Sequence, residues 1–375
     1  MSRPARYSPR LEIRRLEPAD GPAALGLADG TALEGDLPLR FDRGPDFFAW
    51  PDALLDRWVY AGAFEDTRLL GYGLVGFRRG WTGDRWGAYA FSGDLRVAPE
   101  ARRAGVGAAL LRAIQNEIPP DVHLVAGTIL RGNRHGLGLA RDRMPSGFSL
   151  TDLGEFVSIT RLARRCRATG PVVRLGVQDV PAVQELLATG PHGLFAPEPT
   201  EREAHRLLEP DPRLAGGAWG VWDGSRLRGL VALLDLDRVR RAIVLREPVP
   251  LSIVRHAFGL AGYLLGTPSL PGPGQPLRAL TVARLVVPAG LRGSSDSSRL
   301  NTARVLVQAA RLEAFARGAP LLHLGLHGAD PLRAAADRGL RHRHGLRLFA
   351  SVDQRGGPAV CPTAEAPPAL DSALV

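Results

Sequence analysis

An α/β fold in two tandem copies is the class this sequence predicts, and three observations carry it. The first is a repeated opening. Leu11-Glu-Ile-Arg-Arg-Leu16 alternates like a strand, and Pro18-Ala-Asp20 opens a helical run to about Leu27. Val172 to Val177 and then Gln178-Asp179, opening a helix through Leu187, give the same order again. The second is a repeated hairpin. Trp58 to Phe64 turns at Glu65-Asp66-Thr67 into an apolar strand from Arg68 to Phe77; Ala218 to Trp222 turns at Asp223-Gly224 into one from Arg226 to Leu236. Asp-Gly between apolar runs is a strong hairpin signal, because both residues tolerate the positive φ of a tight turn. The third is spacing: Asp20 to Gly71 spans 51 residues and Asp179 to Gly229 spans 50. A fixed order at fixed spacing is the mark of an internal duplication. The alternative is two unrelated α+β domains.

The remaining elements follow in the same order in each half. Ala88 to Val97 and Leu277 to Val287 read as strands, each leading to a proline. Helices follow at about Gly105–Ile118 and Arg299–Ala316, then strands at Val122–Ile129 and Leu321–Leu326. Gly147-Phe148 to Ile159 and Gly345 to Val352 are the closing strands. Arg164 to Pro171 is charged, ends in Gly-Pro and reads as a linker; Thr267 to Pro276 is a loop. The expected domains are therefore 10–163 and 171–353, with a loose Pro/Ala-rich tail at 354–375.

Composition bounds the function classes. The 375 residues suffice for two domains with their own cores, and 45% hydrophobic with 23% charged residues is ordinary for a globular chain. All 48 basic residues are arginine. With 44 Gly and 31 Pro, this points to a bias towards G/C-rich codons, so the net charge of +10 is a weak sign of nucleic acid. The absence of lysine excludes Schiff-base, Walker-type and kinase-type chemistry. Cys166 and Cys361 can build neither a disulfide framework nor a zinc ribbon, and they suit a reducing cytoplasm. Met1 to Arg10 lacks the apolar core of a signal peptide, and Ala257 to Leu270 falls short of the roughly 20 residues that span a bilayer. The expectation is a soluble cytoplasmic protein.

The sharpest local signal runs from Asp94 to Leu111. A strand ends near Val97, a basic glycine-rich turn follows, and an amphipathic helix begins. Free N–H groups at such a helix start, together with the helix dipole, make an anion site. Gly105 and Gly107 leave room for a phosphate oxygen, and Arg102 and Arg103 add charge. The stretch resembles the acetyl-CoA-binding motif of the Gcn5-related N-acetyltransferases (GNAT): Arg102-Arg-Ala-Gly105-Val-Gly107 fits Arg/Gln-x-x-Gly-x-Gly/Ala after a strand ending in Val97-Ala-Pro99. The resemblance spans most of residues 10–163.

It implies a mixed, mostly antiparallel sheet flanked by helices in each copy, and acetyl transfer from acetyl-CoA, as co-substrate, to a primary amine by direct attack on the thioester. It places the pyrophosphate on the Arg102, Arg103, Ala104, Gly105, Val106, Gly107 and Ala108 turn. It sets the pantetheine arm along Leu95, Arg96 and Val97 as an added strand. A backbone N–H near Val97 would polarise the thioester. Asn133 and Gly147-Phe148 match a further family feature, but the spacing is longer than usual and no Tyr lies between them; Arg141, Arg143 and Met144 fill that region. The usual general acid is therefore missing, and Tyr60, Tyr72, Tyr89 or water stand as substitutes. Asp94, Tyr89 and Glu155 are the candidate general bases, with Asp94 and Tyr89 taken as catalytic.

Other signals carry less. Gly71-Tyr-Gly73-Leu-Val-Gly76 matches G-x-G-x-x-G but lies inside a hairpin strand, not between strand and helix. His323 with His327, and His342 with His344, lack neighbouring ligands and read as packing or surface residues, so no metal is expected. Trp219 and Trp222 read as core. In the second copy Ala289 to Ser298 lacks the motif and puts Asp296 where phosphate would sit, so that copy is expected to be degenerate. A small-molecule amine such as an amino sugar is the expected acceptor, ahead of a protein amine. No membrane or nucleic acid partner is expected, and a homodimer is allowed. The rival functions are a non-catalytic acyl-CoA sensor and an aminoacyl-tRNA-dependent transferase.

Overall fold

In the computed structural model the described residues are 11–31, 38–131, 133–142, 148–165, 170–189, 192–246, 252–253, 255–256, 269–289, 295–336, 341–353 and 367–374. Arg143, Met144, Gly147, Cys166, Cys361, the sequence between Ala289 and Ser295 and most of the Ala257–Leu270 run lie outside them. Among the described residues no helix is long and apolar enough to cross a membrane.

The chain forms two compact units. The first holds β1 (Leu11–Arg15), α1 (Gly21–Asp29), β2 (Leu39–Asp42), α2 (Ala49–Leu54), β3 (Arg57–Glu65), β4 (Arg68–Trp81), β5 (Trp86–Val97), α3 (Val106–Asn116), β6 (Leu124–Leu130) and α4 (Arg134–Asp142). Next comes β7 (Phe148–Leu162). The second unit adds β8 (Val172–Arg174), α5 (Val180–Ala188), α6 (Glu201–Leu208), β9 (Gly217–Asp223), β10 (Arg226–Asp235), β11 (Arg241–Val244), β12 (Ala279–Val286), α7 (Asp296–Ala316) and β13 (Leu321–His327), before β14 (Arg341–Asp353). The strand order is β1-β3-β4-β5-β6-β14 in the first unit and β7-β13-β12-β10-β9-β8 in the second. In each the β5–β6 or β12–β13 contact is parallel, while the hairpins are antiparallel.

The expected boundary after residue 163 moves. The first unit ends at Gly154 and takes back the chain from Arg347, while Glu155 to Leu346 belong to the second. Gly154 has a φ of 102°, which a side chain would resist, and Phe156 to Leu162 pair with β13. A strand of this length reads as one element, so its change of allegiance leaves no break in the hydrophobic pattern. The expected loose tail is corrected over residues 367–374. Leu370, Ala373 and Leu374 are buried in the second unit, the Ala369 N–H donates to the Leu194 carbonyl at 2.8 Å, and Arg284 donates to the Ala369 carbonyl. The helices α2, α4 and α6 are too short, or too interrupted by Pro and Gly, to have declared themselves in the sequence.

Each sheet buries one face under a long helix. Val106, Leu110 and Ile114 of α3 pack on Ala61, Ala63, Val75 and Ala90. Leu306, Val307 and Ala310 of α7 pack on Leu280, Val282, Leu322 and Leu324. On the opposite face of the second sheet, Val183, Leu187, Ala204 and Leu207 from α5 and α6 form a further core. His323 hydrogen-bonds through both ring nitrogens, to Ser158 Oγ at 2.7 Å and Thr160 Oγ1 at 3.0 Å.

The duplication reaches individual hydrogen bonds. Leu16 N–H donates to the Tyr60 carbonyl at 2.9 Å, and Leu175 N–H to the Ala218 carbonyl at 2.9 Å. Asp20 accepts from Glu17 N–H and Asp179 from Gly176 N–H, each at 2.8 Å. A Cβ at Gly62 would meet Leu16 and Leu69 side chains, and one at Gly220 would meet Leu175 and Leu227. Two unrelated domains would have no reason to share these pairs.

Candidate active site of the first unit

The site is built where β5 leaves its neighbour. Parallel pairing runs from Ala90↔Val125 to Ser92↔Gly127 and then stops, although β5 continues to Val97 and β6 to Leu130. Beyond Ser92 the two strands diverge as paired elements, which leaves the Gly93–Val97 edge facing an opening. On its other side β5 still pairs with β4, but with one extra residue: Tyr72 faces Arg96 while Leu74 faces Gly93. This is a β-bulge, and Asp94 sits in it with φ of 48°, in the left-handed region that non-glycine residues seldom adopt.

The turn after β5 is curled by two more left-handed residues, Arg103 at φ 66° and Gly105 at φ 86°. Ala98 N–H ties the strand end to the Leu70 carbonyl at 2.8 Å, and Arg102 Nε donates to the Val97 carbonyl at 3.4 Å. Helix α3 begins directly after Gly105, and no side chain caps it. Its first N–H groups, on Val106, Gly107 and Ala108, therefore have no intrahelical acceptor and carry the positive end of the helix dipole. Arg102 and Arg103 are exposed beside them. Gly107 lies under Leu139 of α4 and beside Val97, at 3.4 and 3.6 Å from where a Cβ would be. The second unit treats the same place differently: α7 is capped by Ser295, whose Oγ accepts from Ser298 N–H at 3.3 Å.

Leu95, Arg96 and Val97 form the end of β5 beyond its ladder with β6. Ala104 completes the turn. Asn133 stands just past the end of β6, where its Oδ1 accepts from Gly136 N–H at 2.9 Å at the start of α4.

Asp94 is far from solitary. Its carboxylate accepts from the Tyr60 hydroxyl at 2.8 Å and pairs with Arg43 Nη2 at 2.7 Å, both on Oδ2; Oδ1 pairs with Arg96 Nε at 3.3 Å. Arg43 Nη1 also donates to the Tyr60 hydroxyl at 2.8 Å. Arg96 Nη1 reaches the Thr31 carbonyl at 2.6 Å and its Oγ1 at 3.0 Å, joining the end of α1 to the bulge. The side chains of Arg43 and Asp94 are 1% and 7% exposed. Burial pushes the Tyr60 phenol well above its usual range, against the pull of Arg43, so it stays a donor. Burial works against the Arg43 charge, but Asp94 and the tyrosines outweigh it and keep the guanidinium protonated. Around this network, Phe47 packs on Tyr60 and Tyr72 with ring centroids 4.9 and 5.1 Å away. Sequence reasoning missed Arg43, which lies 51 residues before Asp94 in a stretch with no periodic signal.

Tyr89, the other expected catalytic residue, is buried on β5 opposite Arg78, before the last paired residues Ala90 to Ser92. The closed part of the β5–β6 seam separates it from the opening. Glu155 belongs to the second unit.

Residues 29–124 match the family model for the Acetyltransferase (GNAT) family. The first unit thus carries a GNAT-family match, and the chain as a whole has a tandem GNAT fold. Among solved structures it is similar to Saccharomyces cerevisiae N-myristoyltransferase with bound myristoyl-CoA, at TM-score 0.64 and 10% identity over 93% of this chain and 84% of that one. A tandem GNAT protein from the clavulanic acid biosynthesis pathway matches at TM-score 0.56 and 12% identity over 93% and 100%. A GCN5-related N-acetyltransferase from Sphaerobacter thermophilus matches at TM-score 0.53 and 14% identity over 95% and 100%. No curated protein matches the chain in sequence.

Proposed function

We propose that the first unit transfers an acetyl group from acetyl-CoA to a primary amine of a small molecule. Acetyl-CoA supplies an activated thioester: the amine nitrogen bonds to the carbonyl carbon, the carbon–sulfur bond breaks, and the proton lost by the amine is matched, through water, by the one the leaving thiolate takes up to become the thiol. The observation that carries this reading is the uncapped start of α3, with Gly105 left-handed, set beside the Leu95–Val97 end of β5, which runs on past its ladder with β6. Bare N–H groups fit a pyrophosphate, and an unpaired strand edge fits the amides of a pantetheine arm. Arg102, Arg103, Ala104, Gly105, Val106, Gly107 and Ala108 hold the anion; Leu95, Arg96 and Val97 orient the arm; Asn133 borders the far side of the opening. Among the described residues, the capped start of α7 gives the second unit no such cradle.

A short acyl group suits the site better than a long one. The sheet face at the bulge is filled by Phe47, Tyr60, Tyr72 and the Arg43–Asp94 pair, all buried. A long hydrocarbon chain laid there would displace a charged pair. In this reading neither Asp94 nor Tyr89 takes the amine proton: Asp94 has both oxygens occupied, and Tyr89 lies behind the closed seam.

The test is calorimetric binding of acetyl-CoA and of myristoyl-CoA to the full chain, followed by thiol release across an amine panel. Acetyl-CoA binding that is lost in Gly105→Trp, with amine-dependent thiol release, is the expected result. Binding without thiol release would replace the reading with an acyl-CoA sensor. No binding at all would end it.

A further inference from the structure

We infer that Arg43, Tyr60 and Arg96 are positioning residues for acyl transfer, which hold Asp94 in its left-handed conformation and so fix the backbone that borders the thioester. The inference rests on the first unit being the acyl-transfer unit proposed above.

The geometry is that of a clamp. Asp94 is the bulge residue, with φ of 48°. Its carboxylate is held from β3 by Tyr60, from the chain after β2 by Arg43, and from its own strand by Arg96. A left-handed non-glycine residue is strained and persists only where its surroundings over-determine it. Here three donors on one buried carboxylate provide that determination. Arg96 is anchored in turn on Thr31, which is itself buried. Moving Asp94 to an ordinary strand conformation would swing its carboxylate away from the buried Arg43 guanidinium and from Arg96.

The second unit supplies the control. Its β10–β12 ladder also has a one-residue bulge, slightly further along the strand from Gly229 than the first unit's is from Gly71, with Ala232 opposite Arg284 and Leu233 opposite Val282. The extra residue there is Ala283, which is not left-handed. The position matching Tyr60, by the shared Leu16 and Leu175 hydrogen bonds, is Ala218. A bulge alone therefore requires neither the network nor a left-handed residue. What accompanies the network is the left-handed form, found in the unit with the uncapped α3 start. The consequence for transfer is direct: the Asp94–Val97 backbone borders the opening, and a misaimed N–H there forfeits stabilisation of charge on the thioester oxygen.

The test uses Tyr60→Phe, Arg43→Gln, Asp94→Asn and Asp94→Ala in the full chain, with two readouts. Deuterium exchange of the 93–97 peptide is measured in each variant, with and without acetyl-CoA. Acetyl-CoA Kd and kcat are measured with the best amine of the panel. Tyr60→Phe, which removes one donor and no charge, should speed exchange and lower kcat about tenfold while leaving Kd within about twofold, because the pyrophosphate turn is separate. Arg43→Gln should act the same way and more strongly. Asn tolerates the left-handed region better than Ala, so Asp94→Asn should keep more kcat than Asp94→Ala. Equal loss in both Asp94 variants, with disappearance of the acidic limb of the pH profile, would make Asp94 the proton acceptor and overturn the inference. Unchanged exchange and kcat in a folded Tyr60→Phe, with only a lower Tm, would reduce the network to ordinary packing. Should the wild-type chain bind no acetyl-CoA, the functional reading fails, and the exchange arm still decides whether the network holds the bulge.

Discussion

A Cβ on Gly71 would stand 2.8 Å from the carbonyl oxygen of Arg96. No real Cβ contact is that short, so β4 can approach the bulged end of β5 only with glycine there. The duplicate position repeats the constraint: a Cβ on Gly229 would lie 2.9 Å from the Val286 carbonyl oxygen, with Leu306 crowding it as Leu110 crowds Gly71. Both obstacles are backbone, which cannot rotate away. Gly71→Ala and Gly229→Ala should therefore each destabilise the chain by about 1–3 kcal/mol, the usual range for overpacking. Only Gly71→Ala should also weaken acetyl-CoA binding, since it displaces the edge that borders the opening. Urea titration with parallel calorimetry checks both, and equal effects of the two variants on binding would contradict the assignment of the site to the first unit.

Gly105 gives a cleaner separation of binding from folding. Its φ of 86° turns the chain into α3, and the residue lies at the helix start, outside the core. A side chain there costs roughly 1–2 kcal/mol if the left-handed form is kept. If it is not kept, the first N–H groups turn away from a common target. Gly105→Val should then lose about tenfold or more in acetyl-CoA affinity, equivalent to some 1.4 kcal/mol, with only a small fall in Tm. Wild-type affinity in that variant would remove the turn from the binding site.

Ser295 predicts the reverse pattern. Its Oγ satisfies the Ser298 N–H of α7, and α7 supplies much of the second unit's core. Ser295→Ala should cost about 0.5–2 kcal/mol by loss of the cap, and acetyl-CoA affinity should not change. If the variant gained affinity for acetyl-CoA or free pyrophosphate, the cap would be hiding a second anion site and the view of the second unit as non-binding would be wrong.

The order of elements was readable in advance because it rests on local signals. The strand and helix at Leu11–Leu27, the hairpins and the α3 turn each declare themselves within some ten residues. The strand end, glycine-rich turn and helix start from Val97 to Ala108 were legible for the same reason, whereas the role of the Leu95–Val97 edge followed only from the family resemblance. What the sequence hid is long-range. Arg43 meets Asp94 only through folding, and nothing about an isolated Asp-Arg-Gly-Pro stretch marks its arginine as buried. The transfer of Glu155–Leu162 to the second unit was equally silent, since β7 carries apolar residues on both sides of Gly154, such as Leu150 and Leu153 before it and Phe156 and Val157 after it. The order of residues 367–374 depends on Arg284 and Leu194, far away in sequence, and a Pro/Ala-rich composition gives no hint of them.

The second unit carries one acid that should leave a mark on stability. The Asp237 carboxyl is pushed up to about 6, first by burial and then by the neighbouring Asp235, against the pull of Arg278 and Arg241. Arg278 approaches both acids, at 3.6 Å from Asp235 and 3.3 Å from Asp237. The folded chain therefore holds the Asp237 proton more tightly than the unfolded chain, whose value is the ordinary 3.8. Below that value both states are protonated and the group contributes no difference. As pH rises from 3.8 to about 6 the unfolded state ionises first, and stability falls; above about 6 the loss is complete and constant. Asp237→Asn cannot ionise, so its stability should gain on that of wild type across this window and hold the gain at higher pH. Denaturant titrations of both chains at pH 4, 5, 6 and 7 isolate Asp237 together with the groups it touches, because the titration of groups distant from it cancels in the difference. A difference that stays constant across the series would mean that Asp237 is ionised in the folded chain throughout, with Arg278 prevailing over burial.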